Sequence, residues 1–182
     1  MNTLKDFIPH VISAFKKRNQ RRLRKLNDRI LKAAALEPNE INFALAVHSY
    51  ILSKIVSKPR FISKENEDNL RKIESVLDSL ANVMTGPDES TILPLFSKLE
   101  IAVASLEKED LRFVVSLLNK GKLKMAVTFY AQGMSLGVAA DLTGLEKQEI
   151  LDYAGQTMMF DRLKEEKTMA ARMKDARQFL SE

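Results

Sequence analysis

The chain has no cysteine and no tryptophan, and only six glycines and five prolines in 182 residues. Without cysteine there is no disulfide framework, no thiol nucleophile and no cysteine-bound zinc site. Histidine is scarce too. His10 and His48 each stand alone, with no second ligand at metal-binding spacing, so neither a metal nor a cofactor is expected. No stretch reaches the roughly 18 to 20 consecutive apolar residues that a membrane-spanning helix needs. The early apolar residues Phe7, Ile8, Val11 and Ile12 are interrupted by Pro9 and His10, and the strong charges follow them, which is unlike a secretory signal. No glycine-rich phosphate loop and no nucleophile elbow occur, so the chain is not expected to be an enzyme. At 45% hydrophobic and 29% charged residues it reads as a folded protein of the cytoplasm.

Sustained period-two alternation is missing as well, and the apolar residues recur instead at spacings of three and four. The spacing predicts a long first helix after Pro9, with Val11, Phe15, Leu23, Leu26 and Ile30 on one face and a polar interruption at Asn19 and Arg22. A second helix runs from about Ile41 to Ile55, with His48 in its apolar stripe as a core histidine, and Pro59 stops it. A third, starting near Ser63, uses Leu70, Ile73, Leu77 and Leu80. Thr85-Gly86-Pro87-Asp88 is a turn, and a fourth helix carries Ile92, Leu95, Phe96, Leu99 and Val103. A fifth runs from Leu111 to Leu118 with Gly121 as its C-terminal cap. The expected fold is all-α. An N-terminal helical bundle (residues 1–120) precedes a three-helix unit with a helix-turn-helix (121–157) and a terminal amphipathic helix (158–182).

Within the second unit, Leu123, Ala126, Val127 and Tyr130 lie on a supporting helix closed by Gly133. Ser135 is a good N-cap for the next helix, Ala139 and Ala140 are small enough for a close crossing, and Gly144 suits a left-handed turn. Leu145 fills the angle, and Ile150 and Tyr153 of the following helix face back. The stretch from Phe129 to Gly155 resembles the helix-turn-helix core of small prokaryotic regulators, in particular archaeal and bacterial antitoxin-like proteins. The resemblance is carried by Tyr130, Gly133, Ser135, Ala139, Ala140 and Gly144, by Tyr153-Ala154-Gly155-Gln156-Thr157, and by the charged last helix. It implies DNA binding at a promoter and a C-terminal segment that clasps a toxin, often a PIN-type nuclease.

Charge is distributed unevenly. Residues 1–35 hold ten Lys/Arg and two Asp, a net of +8, inside a chain of net +5. Lys16, Lys17, Arg18, Arg21, Arg22, Arg24 and Lys25 fall within ten residues and wrap most of a helix circumference. Guanidinium groups suit bidentate phosphate contact, so this cluster is a candidate nucleic-acid interface. Ser135, Lys147 and Gln148 of the helix-turn-helix are the other candidates. The alternatives for the cluster are a solvated face, ion pairing with acids such as Glu65, Glu67 and Asp68, or an anionic membrane surface below Phe7, Ile8, Val11, Ile12 and Phe15. Against DNA reading, the outer face around Lys147 also carries Glu146, Glu149 and Asp152. On that ground the unit serves equally as a packing or dimerising module that binds protein alone. Met158, Met159, Phe160, Leu163, Met169, Met173 and Leu180 form a loose apolar stripe on the final segment. That stripe either folds back on its own domain or docks a partner, a toxin-type nuclease or a second copy among them.

Overall fold

The computed structural model describes residues 4–84, 90–106 and 111–158, and the three-four apolar stripes within them are helical. After a 3-10 turn at Leu4–Phe7 come α1 (Ile8–Lys16), α2 (Gln20–Leu36), α3 (Glu40–Val56), α4 (Glu67–Met84), α5 (Ile92–Ala104), α6 (Leu111–Ala131), α7 (Leu136–Thr143) and α8 (Lys147–Thr157). Among the described residues there is no strand, and no helix is long and apolar enough to cross a membrane. The turn expected at Thr85-Gly86-Pro87-Asp88 lies outside the described residues.

The long first helix is two helices. Asn19 and Arg22 occupy the place on the apolar face where a buried residue would be needed, and the chain breaks there. α1 ends in a Schellman motif. The Asn19 N–H donates to the Ala14 carbonyl at 2.9 Å and the Arg18 N–H to the Phe15 carbonyl at 2.8 Å. This places Arg18 at φ 49, where glycine is the usual residue. α2 then starts afresh, with the Asn19 side chain accepting from the Arg22 N–H at 3.0 Å. The expected stripes are otherwise buried: Val11 and Phe15 on α1, Leu23, Leu26 and Ile30 on α2, Leu45, Ile51, Leu52 and Ile55 on α3. α4 and α5 close the core with Leu70, Ile73, Leu77 and Leu80 against Ile92, Phe96, Leu99 and Val103. Phe7, Ile8, Val11, Ile12 and Phe15 all lie in this core, so they offer nothing to a membrane surface.

α6 corrects a second expectation. Gly121 does not cap a helix at residue 120; it sits in the middle of a single 21-residue helix that runs on to Ala131. The reason is non-local. A Cβ at Gly121 would lie 3.2 Å from Val47 Cγ1 and 3.3 Å from Tyr50 Cδ1, so glycine lets α6 approach α3 closely. Leu118, Gly121, Met125 and Phe129 share this face, and the last two join the bundle core. Ala126 and Val127, on the other side of α6, form a second small core with Ala140, Ile150 and Ala154. The boundary read near Asn119–Lys122 thus falls inside a continuous helix that belongs to both cores.

His48 is a core histidine, 4% exposed and stacked at 4.8 Å on Phe96. Its Nδ1 lies 2.7 Å from the Ala44 carbonyl, as donor if it carries the proton, and its Nε2 lies 3.4 Å from Glu100 Oε1 with no other partner. The adjacent His48 ring holds the Glu100 carboxyl below its ordinary range, with burial opposing it and Lys122 adding to the effect. A depressed carboxylate stabilises the fold above the unfolded-state value, about 4.3, and that contribution is lost as pH falls through the lower folded value. Glu100→Gln should therefore lower the melting temperature at neutral pH, and the difference from the parent chain should shrink below about pH 4. Thermal melts in small pH steps check this; a difference that is flat in pH or grows toward acid contradicts it.

Candidate nucleic-acid interface

The seven clustered cations do not act together. Lys16 reaches α4, where both oxygens of Asp78 accept from its ammonium at 2.8 Å. Arg18 Nη1 donates to the Phe15 carbonyl at 3.0 Å and to Glu74 Oε1 at 2.8 Å, with the guanidinium 5.1 Å above the Phe15 ring. These two residues tie the α1–α2 corner to α4. The acids they meet are Asp78 and Glu74 rather than Glu65, Glu67 or Asp68; Glu67 is engaged by Arg71 at 2.8 Å. Lys17, Arg21, Arg22, Arg24 and Lys25 remain exposed, and among the described residues no carboxylate lies within ion-pair distance of them. They stand outside because Leu23, Leu26 and Ile30 turn the opposite face of α2 inward.

Two further helices add cations to this side. Asn27, buried on α2, donates from Nδ2 to the Ala46 carbonyl at 3.1 Å and to Ser49 Oγ at 2.8 Å on α3. Its Oδ1 accepts from the Lys124 ammonium of α6 at 3.1 Å, and Asp28 Oδ1 lies 3.4 Å from the same nitrogen. Lys124 and Lys54 both lie over the Tyr50 ring, at 5.4 and 5.2 Å from its centre. Burial, then repulsion from Arg24, Lys124, Lys58 and Lys120, pulls the Lys54 ammonium below the usual lysine range. Burial raises the Tyr50 hydroxyl, and Tyr153 of α8 adds to the rise.

Of these cations only Arg24 is apparent as a candidate in the sequence. Lys54, Lys58, Lys120 and Lys124 are scattered along the chain and converge only through the α2–α3–α6 packing. The visible trace is Lys120-Gly121-Lys122-Leu123-Lys124, three lysines around a glycine.

The α7–α8 corner has the local geometry its residues imply. Ser135 Oγ accepts from the Val138 N–H at 3.2 Å, which makes Ser135 a helix cap. Gly144 ends α7 at φ 65, ψ 27, and α8 begins three residues later at Lys147. Ala139, Ala140, Ile150 and Ala154 are buried where α7 and α8 meet α6. Outside, Lys147 is exposed and Gln148 is held by Asp152, its Nε2 donating to Oδ1 at 2.8 Å. Val138 of α7 and Leu151 of α8 are exposed, as are Glu149 and Asp152 of α8. Met158 follows α8 at φ 46 and is 65% exposed; Met159, Phe160, Leu163, Met169, Met173 and Leu180 lie outside the described residues. Among the described residues no three His, Asp or Glu side chains converge as metal ligands. A small enclosed void beside His48 has room for about one water and is lined mostly by apolar side chains.

No family model, no curated protein and no solved structure matches the chain.

Proposed function

We propose that the chain is a DNA-associated regulator of antitoxin-like type, in which α6, α7 and α8 form a helix-turn-helix unit and α2 anchors the DNA backbone. The observation that carries this reading is the cationic face of α2. Arg21, Arg22 and Lys25 are exposed with no described carboxylate near enough to neutralise them. Phosphate neutralisation with counterion release supplies most of the sequence-independent affinity for DNA. It is needed here because α8 presents Glu149 and Asp152 beside Lys147 and cannot hold the backbone by itself. Lys147 and Gln148 are then left the task of meeting base edges, with Ser135 fixing the start of α7. Enzymatic activity is no part of this reading.

A second reading has an observation of its own. Val138 of α7 and Leu151 of α8 are large apolar side chains left 48% and 38% exposed, on helices that also expose Asp141, Glu149 and Asp152, a composition suited to a protein partner. On this reading the same three helices bind a nuclease-like toxin or a second copy of the chain, with Met158 at the edge of the interface.

The test is binding of the full chain to labelled duplex DNA across a salt series. Affinity is expected to fall steeply between about 50 and about 200 mM salt. Arg21→Ala, Arg22→Ala and Lys25→Ala together should weaken binding at least about tenfold for all sequences. The salt slope should flatten by about 0.9 for each phosphate that is no longer neutralised. A chain that is not retained on heparin or on mixed DNA at low salt ends the regulator reading. Co-elution with a protein partner in the absence of DNA would favour the second.

A further inference from the structure

We propose that Arg24 of α2, Lys54 and Lys58 at the end of α3, and Lys120 and Lys124 of α6 form a second phosphate-binding site, built around Tyr50 and occupied by a nucleic-acid backbone. The choice of occupant rests on the regulator reading; the site itself does not. Three helices, distant in sequence, direct cations to one place. Among the described residues the single carboxylate within ion-pair distance of any of the five is Asp28, 3.4 Å from Lys124. Two of the ammoniums are held in position rather than left to wander. Both lie over the Tyr50 ring, and Tyr50 is itself wedged against Gly121. Lys124 is pinned further by Asn27 Oδ1. Such an arrangement of like charges opposes folding unless an anion completes it; the Lys54 ammonium is pulled down first by burial and then by repulsion from Arg24, Lys124, Lys58 and Lys120.

The shape of the charge favours an extended polyanion over a single phosphate. Lys120 and Lys124 lie four residues apart on α6, roughly one helical turn, while Lys58, in extended backbone two residues past the end of α3, carries the charge of Lys54 beyond that helix. Arg24 also continues into Arg21 and Lys25 on the exposed face of α2, which makes the two cationic surfaces contiguous. A lipid surface fits less well, because the neighbouring apolar residues of α1 are buried in the core.

The test uses the full chain and the triple variant Lys54→Gln, Lys58→Gln, Lys120→Gln. It removes the charge while keeping the Cβ and Cγ methylenes of each stem, and it leaves Lys124 on Asn27. Duplex DNA of about 20 base pairs, inorganic tripolyphosphate, and vesicles containing phosphatidylserine are the probes. The variant is expected to melt at or above the parent temperature, since repulsion is relieved. It should bind DNA at least about tenfold more weakly, with a salt slope shallower by about 2 to 3. If the parent binds DNA and the variant matches it in affinity and slope, this site is wrong and the regulator reading survives. If the parent ignores DNA but tripolyphosphate raises its melting temperature and not the variant's, the regulator reading fails and the site stands as one for free phosphate. Binding to vesicles in preference to DNA, lost in the variant, overturns the nucleic-acid occupant. A parent chain that responds to none of the three probes overturns both.

Discussion

Ile150→Ala is expected to destabilise the packing of α7 and α8 on α6 by about 2 to 5 kcal/mol, the usual range for a fully buried isoleucine reduced to alanine. Ile150 is 0% exposed and is the largest side chain of the small core it shares with Ala126, Val127, Ala140 and Ala154. Every other buried member is valine or alanine, and the larger Leu136, Leu145 and Tyr153 pack against this core only from its partly buried edge. Packing against α6 is what holds α8. Its own cap is weak, because Glu146 makes no side-chain capping bond. Hydrogen exchange should report the loss first in α7 and α8, with α1 to α5 protected as before. Uniform loss of protection across the whole chain, or a change in melting stability under about 1 kcal/mol, would contradict this account.

Asn27→Ala should cost about 2 to 4 kcal/mol. Asn27 is 2% exposed and uses its amide as both donor and acceptor, joining three helices at one point. Truncation leaves the Lys124 ammonium with Asp28 at 3.4 Å and the Tyr50 ring at 5.4 Å, and it removes the amide donor from Ser49 Oγ. Ser49 retains its own bond to the Ala46 carbonyl at 2.9 Å, so the damage centres on α6 rather than α3. Chemical denaturation of the variant measures the loss. A double-mutant cycle with Lys124→Met apportions it and should give a coupling of about 0.5 to 3 kcal/mol. Additive effects would mean that the Asn27–Lys124 bond contributes no stability.

These two residues differ in how far the sequence discloses them. Ile150 lies where a three-four stripe meets a turn marked by Gly144, and local spacing is enough to place it inside. The same holds for the Ser135 cap and for Gly133, which follows α6 at φ 99. Asn27 belongs to no apolar pattern; it is buried because α2 meets both α3 and α6 at that level, which spacing within α2 cannot express. Arg18 hides for a related reason. An arginine in a left-handed position contradicts its own preference, and Glu74 of α4, together with the nearby Phe15 ring, supplies the compensation. Gly121 has the look of a helix end, since only the proximity of Val47 and Tyr50 gives a mid-helix glycine its purpose. The Tyr50 cation cluster is the extreme case. Its members are ordinary surface lysines when read one at a time, and their significance is wholly a matter of assembly.

α6 carries Met125 and Phe129 into one core and Ala126 and Val127 into the other. A protease cut in this helix could not release a self-sufficient C-terminal fragment, because each core would lose a wall. Any rotation of α6 about its axis must also register at both ends of the molecule, so a ligand pressing on Lys120 and Lys124 would be felt beneath α8. The molecule is therefore better described as two hydrophobic interiors on a common axle than as separate beads on a string.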